Sequence, residues 1–119
     1  MALLVHTWDI PSDRHGREEY QLIGQESIPI VLAQPGVKEF RGYRNPLRAS
    51  PHVMVHIEFE NDAALQQFLD SYVYGDMIRD LARVGCRNIR AEVWSTSPVV
   101  PVPMRGAAAS SEPRARPSG

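Results

Sequence analysis

His6 and His56 are the residues best suited to proton chemistry, because an imidazole titrates near neutral pH and can act as a general base. Each lies in a stretch where apolar and polar residues alternate, at 2–10 (ALLVHTWDI) and 52–60 (HVMVHIEFE). With Glu58 and Glu92 they could in principle hold a metal, but no HxH or HExxH spacing occurs, so no metal site is expected. The alternative for the two histidines is a buried polar network that satisfies itself across an interface. Trp8 and Trp94 could stack on a flat ligand or pack an interface. Arg90 could hold an anionic group; alternatively it and Glu92, two apart on one strand face, could each form an ion pair across the sheet. Tyr72 and Tyr74 straddle a helical stretch, and one hydroxyl could enter a pocket; core packing is the competing role. Cys86, the one cysteine, has no nearby histidine or resolving thiol and is read as inert. Arg41-Gly42-Tyr43-Arg44 is too short a basic stretch to propose RNA binding.

The elements that must position these groups follow from periodicity. The first strand, 2–10, stops at Pro11, and Ser12 or Asp13 could cap the helix after it. Tyr20, Ile23, Ser27, Ile28 and Val31 form one helical stripe, with a kink or break expected at Pro29 and an end at Pro35-Gly36. A strand at 37–44 closes at Asn45-Pro46, and the strand at 52–60 is the best in the chain. Asn61 or Asp62 caps a second helix, with an interruption expected near Gly75 and an end at Gly85; a last strand covers 87–96.

The order β-α-β-β-α-β predicts a ferredoxin-like α+β fold, with both helices on one face of a four-stranded antiparallel sheet. Alternation places Val53, Val55, Ile57 and Phe59 together under the helices. The opposite face is then expected to carry Leu4, His6 and Trp8 with Met54, His56 and Glu58, and with Arg90, Glu92 and Trp94. Such a patch would be unusual on a soluble monomer. Two sheets packed face to face would cover it and enclose a cavity holding polar groups.

Three stretches resemble the dimeric α+β barrel superfamily, and most of all its antibiotic-biosynthesis-monooxygenase branch. His15-Gly16-Arg17-Glu18-Glu19-Tyr20 is similar to the opening of that family's first helix. Residues 28–37 (IPIVLAQPGV) are similar to its proline-bearing helix end, and residues 58–65 (EFENDAAL) to its strand-to-helix junction. The resemblance implies a homodimer that pairs its sheets into a barrel, with ligands between sheet and helices or inside the barrel. It implies a cofactor-independent monooxygenase acting on an aromatic or polyketide-like substrate. His56 or His6 would then be the base and Arg90 the anion holder; Trp8 and Trp94 would enclose the substrate, with Glu58, Glu92 and Tyr72 as further contacts. Phe59 stands where these enzymes often have Trp, and the second helix lacks the histidine of haem-degrading relatives. A non-catalytic ligand-binding or stress-associated dimeric barrel is the alternative, and an isomerase or cyclase on the same scaffold is a third.

Composition bounds these readings. The chain has 119 residues with thirteen basic and fourteen acidic side chains, so it lacks the basic surplus that nucleic acid or an anionic membrane would attract. No apolar run nears the roughly 18 residues a membrane span needs. Residues 1–10 lack a basic start and a cleavage site, so a cytoplasmic location is expected. Residues 1–97 form the expected domain, with a net charge of −3. Residues 98–119 hold five of the ten prolines and no aromatic, and are expected to be a flexible tail. Its start, 98–103, could instead run extended across a partner subunit.

Overall fold

A computed structural model describes residues 1–107; the expectation for the tail falls partly on 108–119, outside the described residues. The chain forms β1 (Ala2–Asp9), α1 (Arg14–Leu32), β2 (Val37–Arg44), β3 (Val53–Phe59), α2 (Asp62–Leu69), α3 (Tyr72–Arg83) and β4 (Arg87–Ser95). The strands form one antiparallel sheet in the order β2-β3-β1-β4, the ferredoxin-like arrangement read from the sequence. Residues 98–106 add no strand, and Val99, Val100, Val102 and Met104 are exposed.

The helices start where short polar side chains can accept from free backbone donors. The Asp13 carboxylate accepts from Gly16 N–H at 2.9 Å, the Asn61 side chain from Ala64 N–H at 2.8 Å, and Ser71 Oγ from Tyr74 N–H at 3.3 Å. Gly16 allows α1 to sit close against its neighbours: a Cβ there would lie 2.7 Å from the Pro11 side chain and 2.8 Å from the Val84 carbonyl oxygen. At the other end Gly36, with φ +77°, turns the chain into β2.

Two helix expectations are corrected. α1 runs through Pro29 without a break: the proline lies in the last turn, where the lost donor removes one bond from a helix already near its end. The second helical stretch divides at Asp70-Ser71, where Ser71 caps a new helix, and continues through Gly75.

The larger correction concerns the phase of β1. Leu4 pairs with Ile57, His6 with Val55 and Trp8 with Val53. Directly opposite residues share a face, so Leu4, His6 and Trp8 lie under the helices with Val53, Val55 and Ile57. All three are buried, and Leu4, Trp8, Val55, Ile57, Phe59, Leu65, Phe68 and Leu81 belong to the core. The open face carries Leu3, Val5 and Thr7, opposite Glu58, His56 and Met54 on one side and Trp94, Glu92 and Arg90 on the other. His6 and His56 are therefore on opposite faces of the sheet, as are Trp8 and Trp94.

Candidate small-molecule site

A cavity of about 430 Å³ lies between the sheet and the helices. The sheet contributes His6, Trp8, Phe40, Gly42, Tyr43, Arg44, Val53 and Val55; α1 contributes Tyr20, Ile23, Gly24, Ser27, Ile28 and Val31; α3 contributes Met77 and Leu81. Most of the wall is hydrocarbon or aromatic ring. Its polar groups are few: an imidazole, an indole N–H, a phenol and a serine on the wall, with the Arg44 side chain at the β2 edge.

His6 is 2 % exposed, and its Nε2 lies 2.7 Å from the Tyr74 hydroxyl. Its Nδ1 is buried and has no hydrogen-bond partner among the described residues. Burial lowers the imidazole pKa from its ordinary value, with the hydrogen-bonding approach of the ring to the Arg90 backbone acting the other way, so the ring is neutral at pH 7. A neutral ring has two arrangements. With the proton on Nδ1, Tyr74 donates to Nε2 and the ring has no free lone pair. With the proton on Nε2, Tyr74 accepts, and the Nδ1 lone pair is free to take a proton.

A second pair stands beside the first. Trp8 Nε1–H donates to the Tyr20 hydroxyl oxygen at 3.1 Å, with the two rings edge to face, and the His6 ring centroid is 6.2 Å from that of Trp8. Burial raises the pKa values of Tyr20 and Tyr74, which keeps both phenols protonated at neutral pH. Cys86 is buried and its thiol is pushed up to about 11, in keeping with the inert role read from the sequence.

Of the sequence candidates, then, His6 and Trp8 meet in the cavity. The others do not. His56 lies on the open face with its ring 5.1 Å from that of Tyr43. Glu58, on the same face, is 3.8 Å from Lys38. Glu92 accepts from Trp94 Nε1–H at 3.3 Å, and neither Glu92 nor Arg90 has an ion-pair partner among the described residues, so the expected pairing across the sheet is not formed. Tyr72 is 90 % exposed: as the first residue of α3 it projects into solvent, and Tyr74, two residues on, turns inward. No group of three or more His, Cys, Asp or Glu capable of holding a metal occurs among the described residues. Tyr20 and Tyr74 were visible in the sequence as helix residues, but their partners could not be named until the phase of β1 was known.

A further cluster escaped the sequence reading. Asp9, 5 % exposed, accepts from Ser50 Oγ at 2.7 and 2.9 Å, from Asn88 Nδ2 at 2.7 Å and from His52 N–H at 3.2 Å. These bonds, Asn88 first, hold its pKa below the ordinary carboxylate value. His52 Nδ1 accepts from Ile10 N–H at 3.1 Å, so that nitrogen carries no proton to share with Asp9. The cluster ties the β1 end to the β2–β3 loop and to β4, where the pairing with β1 shifts register between Thr7 and Asp9.

Fold and cavity together define a class: a ferredoxin-like α+β domain with an apolar chamber between its sheet and helices, its fold shared with structures named antibiotic biosynthesis monooxygenases. Three solved structures illustrate the likeness. One from Deinococcus radiodurans, named for the antibiotic biosynthesis monooxygenases, superimposes with TM-score 0.69 at 12 % identity, covering 89 % of this chain and 100 % of its own. A mutant of SnoaB, a cofactor-independent oxygenase from Streptomyces nogalater, gives TM-score 0.64 at 10 % identity, over 79 % of this chain and 90 % of its own. An ethyl tert-butyl ether d family protein from Bacillus halodurans gives 0.60 at 16 %, over 80 % and 97 %. At these identities the likeness establishes the fold. No protein-family model matches the chain, and no curated protein matches it in sequence. No helix among the described residues is long and apolar enough to cross a membrane.

Proposed function

We propose that the chain binds a small hydrophobic or aromatic molecule in the cavity beneath α1 and oxidises it without metal or flavin, as a cofactor-independent monooxygenase of aromatic or polyketide-like compounds. The observation that carries this reading is His6: a neutral, buried imidazole among the lining residues of a mostly apolar chamber, with one buried nitrogen that has no hydrogen-bond partner among the described residues. A buried polar atom without a partner is uncommon in proteins and points to a ligand that supplies one. The SnoaB likeness, a cofactor-independent oxygenase by name, favours the oxidative form of the reading.

The chemistry asked of the protein is small. His6, with its proton on Nε2 and Tyr74 accepting it, removes a proton from an acidic C–H or O–H of the substrate through Nδ1. The resulting anion is stabilised by its own ring system and reduces O₂ directly. A CH₂ carbon becomes a carbonyl, one oxygen atom enters the product and the other leaves as water. The apolar wall excludes solvent, which strengthens each polar contact inside. The base role thus falls to His6 and the enclosing role to Trp8, rather than to His56 and Trp94. A homodimer built on the open sheet face belongs to the same proposal, since Trp94, Tyr43 and the half-buried Leu3, Val5 and Met54 would otherwise meet water.

The test is O₂ uptake and quinone formation with a tricyclic anthrone. His6→Ala is expected to abolish turnover, and His56→Ala to leave it within about twofold, because His56 is on the far side of the sheet. Turnover that survives His6→Ala removes the catalytic reading. Binding of the anthrone without O₂ uptake in the natural chain would support the non-catalytic ligand-binding barrel instead.

A further inference from the structure

We infer that Tyr20 is the hydrogen-bond donor that selects ligands bearing a carbonyl or phenolate oxygen; this rests on the cavity reading above. An indole N–H can donate and cannot accept. At 3.1 Å from Trp8 Nε1, the Tyr20 oxygen must therefore be the acceptor of that bond. Its own hydrogen points elsewhere, and no acceptor for it occurs among the described residues. Tyr20 is half-buried, so this donor is free for solvent or for a ligand in the chamber. Tyr20 lines the cavity, so a bound molecule is the partner in reach.

Packing alone does not call for the hydroxyl. The Tyr20 ring meets Trp8 edge to face at 6.4 Å, a contact a phenylalanine ring would keep. What the oxygen adds is a fixed polarity: Trp8 occupies its lone pair, so it presents a proton and not an acceptor to the chamber. Around it stand Ile23, Val31 and Val55, which offer hydrocarbon. A ligand that fits both conditions has an apolar ring body and an exposed oxygen acceptor. The matching hydrocarbon without that oxygen fills the same space and leaves the Tyr20 donor unmet.

The experiment compares 1-tetralone with tetralin, which share a bicyclic frame and differ in one carbonyl, by equilibrium dialysis against the full chain. The ketone is expected to bind roughly fivefold more tightly than the hydrocarbon. Because Tyr20→Phe alone would free the Trp8 N–H to donate in its place, the decisive pair is Trp8→Phe against Trp8→Phe/Tyr20→Phe. The preference for the ketone should persist in the first and vanish in the second, with tetralin affinity equal in both. If tetralin binds and the ketone preference is the same in both variants, Tyr20 is only the packing partner of Trp8 and the inference falls while the cavity reading stands. If neither compound binds the natural chain, the cavity reading falls and takes this inference with it.

Discussion

At the scale of single residues, the two most buried polar side chains, His6 and Asp9, both make the protein sensitive to acid. Their pKa values are lowered in the fold, so the unfolded chain binds more protons over the interval between the folded and ordinary values, and stability there rises with pH. The His6 contribution is complete above its ordinary pKa of about 6.5 and declines as pH falls from there towards the folded value. The Asp9 contribution is complete above about 3.8 and declines below it. Thermal unfolding from pH 8 to pH 3 should show the first loss in the natural chain and lack it in His6→Phe, while Asp9→Asn should lower stability at neutral pH and flatten the acid limb. Turnover should be flat above about pH 6.5 and fall in acid, because protonated His6 has no lone pair to offer.

At the scale of elements, two glycines shape the chamber. Gly24 sits within α1 and Gly42 within β2, and at neither is there an atom within 4 Å of where a Cβ would stand. Each position weakens its own element, since glycine in a helix interior is about 1 kcal/mol worse than alanine and in a strand offers nothing to pack. Both line the cavity, so the space they leave is room for a ligand. Gly24→Leu is expected to raise the melting temperature by a few degrees and to reduce tetralone binding by tenfold or more; unchanged binding would place the ligand elsewhere. The elements themselves were legible in the sequence. β2 was read with its observed bounds, the other strands within a residue at either end, and the caps Asp13 and Asn61 were among the residues named. The phase of β1 was not legible. Its odd set, Leu3, Val5 and Thr7, holds no ionisable side chain, whereas its even set, Leu4, His6 and Trp8, holds a histidine and is the one the fold buries. Burial of His6 depends on Tyr74, 68 residues away in sequence, and that of Trp8 on Tyr20. Alternation says which residues share a face and not which face is covered. One reversed strand was enough to split the expected site and to part the two histidines named together as candidate bases.

At the scale of the whole molecule, the helices fill one face of the sheet, and the other is largely open among the described residues, with Leu3, Glu58 and Trp94 at one end sharing a hollow with residues 100–103. Val5, half-buried at the centre of that face, stands opposite His56 on β3 and Glu92 on β4. A second copy laid over it would enclose Trp94, now 55 % exposed. Sedimentation at micromolar concentration should report a particle of twice the 13.4 kDa chain mass, and Val5→Glu should halve it by leaving a carboxylate in the interface. A natural chain that sediments at the mass of one copy would remove the barrel from the proposal. Closure of the chain on itself meanwhile runs through Asn88. Its backbone has φ 54°, a conformation open to glycine and few others, and its amide donates to Asp9 at 2.7 Å. Glycine would meet the backbone demand and lose the amide; glutamine would keep an amide and resist the backbone; aspartate would set a second negative charge against the first. In a library covering all twenty amino acids at this site, asparagine should stand alone among survivors of heating, a narrower tolerance than at any wall residue of the chamber.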